Sequence, residues 1–229
     1  MNSKSEKFIK QLELPGGNTF SVIDQGGVLW LKTDPSDVPQ LCVSALSLGA
    51  IFDAAFIFPV EKQQFRVTYI LRVPQIEQFL VVYATGTEFY SISAKLNVAS
   101  WDERKMQDSS GLLFKGMADT RPLLFHPDGG LEGSGKHSKG AQKYTYPIAG
   151  TGAEGEFQIA VGPVHAGIIE PGHFRFHVVG ETINKLETRM AYLHRGVESV
   201  LEKKDIFEAI PLVEQISGDE AVANTLAYC

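Results

Sequence analysis

The residues of this chain that could do chemistry are few: six histidines, two cysteines and scattered pairs of opposite charge. His165 closes the stretch "GPVH". An imidazole there can donate a hydrogen bond or carry a proton near neutrality, or it can simply pin the loop at the end of a strand. His173 and His177 stand four apart on an expected strand, so both point to one face. Without a third donor they make no metal site. Glu170 precedes a Pro–Gly turn. Burial without a cationic partner would raise its pKa, the property of a proton relay; exposed, it is a solvated charge. Arg104, Asp108, Asp119 and Arg121 can pair to fix a turn or remain solvated. Gly218–Asp219 reads as a turn and helix cap. Cys42 and Cys229 supply neither a disulfide framework nor a four-thiolate metal site, which suits a reducing compartment. The run "GGLEGSG" follows no expected strand and opens no helix, so it is no phosphate cradle. No NAD and no other cofactor is expected on this chain.

These residues need a scaffold, and 229 residues with a 44% hydrophobic share allow one large domain or two small ones. The net charge of −6 argues against nucleic acid as a partner. The N-terminal residues lack the apolar core of a signal peptide. The run "LCVSALSLGAIFDAAFIFPV" (41–60) is long enough to span a bilayer, but Ser44, Ser47 and Asp53 interrupt it and Pro59 closes it. It is expected to be a helix followed by a buried strand, with no direct membrane span.

"DPSD" at 34–37 announces a helix with apolar residues at Val38, Leu41, Cys42, Ala45 and Leu46, ending at Gly49. Strands are expected at 50–58, 65–73, 78–84 and 88–93, with antiparallel neighbours. Asn97 can cap a helix through "VASWDERKMQD". Residues 127–155 hold eight glycines and no apolar period, the composition of a linker. Strands follow at 157–165 and 173–180, then a tight turn at Gly180–Glu181 and a return strand. A helical pattern begins at Tyr192, Asp205 can cap another helix, and "GDEAVANTLAYC" a third. Its apolar stripe of Val222, Leu226 and Cys229 has no visible partner, so the isolated chain is expected to fray there, swap it, or bury it in a homodimer. The fold class is α+β: an antiparallel sheet with packed helices, then a β-hairpin and helices.

Two stretches carry a resemblance. "ASWDERKMQDSSGLLFKGMADTRPLLFHPD" (99–128) resembles the signature of the C-type subunit of bacterial complex I, also found at the front of formate hydrogenlyase large subunits. The matching frame is Trp101, Glu103, Arg104, Asp108, Gly111, Phe114, Gly116, Asp119, Arg121, Leu123 and Leu124. Lys105, Ser109–Ser110, Met117–Ala118 and Pro122 depart from it. "VGPVHAGIIEPGHFRFHVVGETINKLETRMAYLHRGVESVLE" (161–202) is similar to the start of the large subunit of membrane-bound [NiFe]-hydrogenases and of its D-type counterpart in complex I. Its "EPGHF" form leans to the hydrogenase side. Both occur here in the fused order, covering nearly the whole chain. The resemblance implies a domain like the C-type subunit over 1–128, a Gly-rich linker over 129–155, and the leading part of a large-subunit-like domain over 156–229.

The resemblance also assigns roles. Glu170 would occupy the proton-relay position. His165 would line the cavity that holds quinone in complex I. Arg195, with His194, would lie beside an iron–sulfur cluster held by a partner small subunit. The first metal loop, Arg-x-Cys-Gly-x-Cys in the hydrogenases, aligns with Gln215, Ile216, Ser217, Gly218, Asp219 and Glu220. Ser217 and Glu220 stand at both cysteine positions, and Asn224 replaces the following His. Nickel there needs soft thiolates, so no metal is expected. The implied function is a subunit of a membrane-associated multisubunit oxidoreductase, cytoplasmic and peripheral to the membrane. It would dock the iron–sulfur small subunit and wall the reaction cavity. The alternative is a non-catalytic assembly scaffold.

Overall fold

A computed structural model describes every residue except Pro15, Gly17, Lys62, Gln63, residues 125–149 and Ala191. Two compact units emerge, Met1–Ala149 and Gly150–Cys229. The linker expected over 129–155 lies mostly outside the described residues.

In the first unit, α1 (Ser3–Gln11) begins at Asn2, whose side chain accepts from Ser5 N at 2.8 Å. The hairpin β1 (Ser21–Gln25) and β2 (Val28–Lys32), which turns at Gly26–Gly27 with both φ positive, was not among the expected strands. α2 (Val38–Ser47) buries Val38, Leu41, Cys42 and Ala45, the face the spacing predicts. Asp37 sits at its cap position without capping it. Its carboxylate instead accepts from Asn18 Nδ2. Then follow β3 (Ile51–Glu61), β4 (Gln64–Val73) and β5 (Gln78–Gly86). The sheet order is β1-β2-β5-β4-β3. β3, β4 and β5 are antiparallel neighbours as expected, but β2 joins β5 in parallel, because the chain leaves β2 through α2.

One sheet face carries Leu29, Leu31, Val67, Tyr69, Leu71, Val73, Leu80 and Val82, all buried, with helix residues Phe8, Leu41, Cys42, Ala99 and Met106 in the same core. Alternate residues along each strand share a face, so all three helices cover this side. β3 is not the buried strand expected. It is the sheet's edge, with Ile51, Phe56, Phe58 and Val60 exposed. After the short pairing of β6 (Phe89–Tyr90) with β7 (Phe114–Lys115), α3 (Ala99–Ser110) supplies the signature residues. Asn97 does not cap it with its side chain; its carbonyl accepts from Ser100 N at 3.0 Å. Among the described residues no helix is long and apolar enough to cross a membrane.

The second unit is a three-stranded antiparallel sheet in the order β10-β9-β8, from β8 (Glu156–Val161), β9 (His173–Val179) and β10 (Thr182–Arg189). Gly180 turns the hairpin with φ +58°, the backbone region a first central glycine provides. The helix expected from Tyr192 starts only at Val197, after the left-handed Gly196, and is short: α4 (Val197–Leu201). Asp205 accepts from Phe207 N at 2.9 Å, and α5 (Ile210–Glu214) begins later. Asp219 lies inside a 3-10 turn rather than capping α6 (Ala221–Tyr228).

Candidate functional site

The charged residues of the 99–128 signature are used internally. Arg104, nearly buried, donates from Nε to the Arg121 carbonyl at 2.6 Å and from Nη2 to that of Pro122 at 3.0 Å. Its Nη1 lies 3.3 Å from Asp119 Oδ2. Arg121 clasps the same carboxylate with Nε and Nη2 at 2.8 and 2.6 Å. These Arg121 hydrogen bonds, with the Arg104 charge, hold Asp119 below the usual carboxylate range despite part burial. Asp108 Oδ2 accepts from the backbone N–H groups of Leu123 and Leu124 at 2.8 and 2.6 Å. Together they fasten 119–124 to α3, which is the turn-fixing role and not solvated charge.

Glu103, fully buried on the same helix, was named only as part of the frame. It accepts from the Tyr69 hydroxyl at 2.9 Å, from Ile92 N at 2.8 Å, and from the Ser91 hydroxyl. Burial and Glu103 push the Tyr69 phenol well above its ordinary value, so it remains a donor. Burial likewise pushes the Cys42 thiol far up, leaving it inert.

In the second unit three segments meet around Arg195. His165 Nε2 lies 2.6 Å from the Gly172 carbonyl, so this nitrogen carries the proton and donates. His173 Nδ1 reaches back to the Gly162 carbonyl at 3.1 Å. Both histidines therefore brace the 162–172 loop. Gly162, at φ +80°, is required there: a Cβ would come within 2.2 Å of the Gly172 carbonyl oxygen. The loop presents Glu170 outward, 69% exposed and 3.4 Å from Arg195 Nη2. It is neither buried nor without a cationic partner. Arg195 also donates to the carbonyls of Gln215 and Ile216 at 3.0 and 2.7 Å. It thus staples the "EPGH" loop to the "QISGDE" loop. His194, beside it, is half-buried.

Ser217 and Glu220 are in that second loop, where Glu220 N bonds the Ser217 carbonyl. A hydroxyl and a carboxylate are hard oxygen donors, and Cys229 is exposed at the chain's last position. This donor set does not fit nickel, which needs thiolates.

Sequence reasoning missed one cluster. His177 is fully buried, with Nδ1 2.8 Å from Glu156 Oε1 and Nε2 3.2 Å from Glu187 Oε2. The second contact has ion-pair range but is off the N–H direction, so Nε2 makes no directed hydrogen bond. Thr151, then His177, hold Glu156 down to about 2. Burial works to raise Glu187, yet the Lys185 ammonium and the nearby His177 ring outweigh it and keep it low. The histidine pair on one face was the readable signal; the carboxylates come from the two flanking strands.

Residues 31–136 match the family described as "Respiratory-chain NADH dehydrogenase, 30 Kd subunit". The matched residues lie within the first unit. Component G of hydrogenase-4 from Escherichia coli is 33% identical, the match covering 65% of this chain and 29% of the relative. Formate hydrogenlyase subunit 5 from the same organism is 31% identical over 64% of this chain and 28% of its own length. The C/D subunit of the NADH-quinone oxidoreductase from Bdellovibrio bacteriovorus is 24% identical over 75% of this chain and 34% of that one. The chain thus spans about a third or less of these relatives. The match to the 30 Kd family contains α2, β3, β4, β5, α3 and the Arg104–Asp119–Arg121 turn.

Proposed function

We propose that this chain serves in a membrane-associated multisubunit oxidoreductase of the energy-converting hydrogenase or NADH:quinone oxidoreductase type. It docks an iron–sulfur small subunit there and forms part of the reaction cavity, without an intact nickel–iron site. The observation that carries this is the Arg195 staple. It holds the Glu170 loop and the Gln215–Glu220 loop together, and in this reading the two loops wall the cavity, with Ser217 and Glu220 at the positions where thiolates would bind metal. The relatives' names support the assembly type. Arg195 and His194 would face the partner's cluster, where a positive charge raises the reduction potential. Glu170 and His165 would border the cavity, Glu170 as an exposed proton acceptor whose Arg195 pairing can open. Attachment to the inner face of the cytoplasmic membrane would come through the partners.

A second reading, an assembly scaffold without redox chemistry, is favoured by those same substitutions. Purification of the tagged chain from its native host, with metal analysis, tests both. The expected result is co-purification of an iron–sulfur small subunit and membrane subunits, with iron present and nickel absent from this chain. Isolation of the chain alone, or stoichiometric nickel in it, would overturn the proposal. If Arg195→Ala leaves the cluster potential in the purified assembly unchanged, the scaffold reading stands instead.

A further inference from the structure

The first unit's sheet has a second face, opposite the helices, and its residues form an ordered row. Trp30 on β2 meets Tyr83 on β5 edge to face, centroids 6.3 Å apart. The Arg66 guanidinium on β4 lies 5.2 Å from the Tyr83 ring and 5.3 Å from that of Phe58 on β3. Phe58 stacks on Phe56 at 6.3 Å. Ile23, Ile51 and Phe79 extend the same face, all exposed. Aromatic side chains and arginine are the groups enriched at protein interfaces and their hot spots, and a continuous exposed apolar patch of this kind marks a contact surface.

Charge decides the occupant. Among the described residues this face carries Lys32, Arg66 and Arg72 against two carboxylates: Asp53, which pairs loosely with Arg72 at 3.5 Å, and Glu61, opposite Gln64 at the end of β3. It is therefore cationic in a chain of net charge −6. Arg66 Nε is buried without a hydrogen-bond partner, and among the described residues no carboxylate accepts from its guanidinium. A guanidinium lying between two rings still has N–H groups to offer a carboxylate. A second copy of the chain would bring the same three cations against themselves.

We propose that this face docks an acidic segment of a different polypeptide, apolar side chains on the aromatic row and a carboxylate on Arg66. This deepens the assembly reading by naming the surface, and rests on it only for the partner's setting. The test places a photoreactive benzoylphenylalanine at Phe56 or Phe79, with Lys7 on α1 as the off-face control, in the full chain expressed in its native host. Crosslinked peptides are mapped by mass spectrometry. The expected result is a crosslink from both face positions, not from Lys7, to a carboxylate-bearing segment of another protein. Arg66→Glu should lower the yield about tenfold while Arg66→Lys retains most of it. No crosslink, one to this chain or a second copy, one to lipid or nucleic acid, or indifference to Arg66→Glu would overturn the proposal. Silent crosslinking positions in a chain that still co-purifies with iron–sulfur and membrane subunits sink this surface alone. Crosslinks without those subunits sink the assembly reading alone.

Discussion

Glu103 is a carboxylate with no access to water, and its three donors come from parts of the chain far apart in sequence. A buried carboxylate costs stability unless its oxygens are satisfied, and here Tyr69, Ile92 N–H and Ser91 satisfy them. Glu103→Ala would leave the Tyr69 hydroxyl and the Ile92 N–H without an acceptor. The expected loss is about 3 kcal/mol, with about 1.5 kcal/mol for Tyr69→Phe, which removes one donor only. Urea unfolding followed by tryptophan fluorescence measures this in the right place, because Trp30 and Trp101 both belong to the first unit. A Glu103→Ala variant within about 1 kcal/mol of the parent would show that water replaces the donors. The signature match drew attention to Glu103 without giving it a role. Its role depends on contacts with residues 69 and 91–92, which no local spacing encodes. Arg104 was different, because Asp119, its partner of opposite sign, stood in the same signature and their pairing could be read there, whereas Asp108, the other candidate, holds backbone N–H groups instead.

At the scale of elements, the second unit's sheet is crossed by Glu156 on β8, His177 on β9 and Glu187 on β10. Glu156 is held at about 2, against an ordinary value of 4.5. A carboxylate depressed in the folded state contributes stability that is fully present above its unfolded value and disappears as pH falls through the folded one. The sheet should therefore weaken progressively between about pH 4.5 and pH 2. Glu156→Gln should flatten that part of the pH profile when melting is followed by circular dichroism from pH 6 to 2. A profile of unchanged slope in the variant would show that Glu156 is not the titrating group. The strands themselves were legible from β-branched and aromatic runs. The cluster was not, because it depends on register, and a bulge between Ile183 and Lys185 shifts the β9–β10 pairing.

The last helix was legible as a helix but not as a packed one. α6 buries no residue, and Val222 and Leu226 are 83% and 78% exposed. An eight-residue helix draws little stability from propensity alone. Val222→Ala or Leu226→Ala should change stability by less than about 0.5 kcal/mol, and amides of 221–228 should exchange hydrogen early. Strong protection there in a monomeric sample would contradict this.

The two units differ most in their interiors. The clustered hydrophobic core belongs wholly to the first, from Phe8 through Phe114. In the second, the buried apolar side chains among the described residues are Val178, Ala209 and Val213. Apolar burial is the dominant favourable term in folding, so the second unit should be much the less stable. Urea should unfold the chain in two steps. Circular dichroism should register both, and tryptophan fluorescence only the later one, since neither tryptophan lies in the second unit. Val213→Ala should move the early step by about 2 kcal/mol and leave the late one in place. Leu71→Ala, opening a cavity in the first core, should cost about 3 kcal/mol and move the late step alone. Coincident transitions by both probes would mean that the units unfold together, and would contradict a second unit that stands on its own smaller interior.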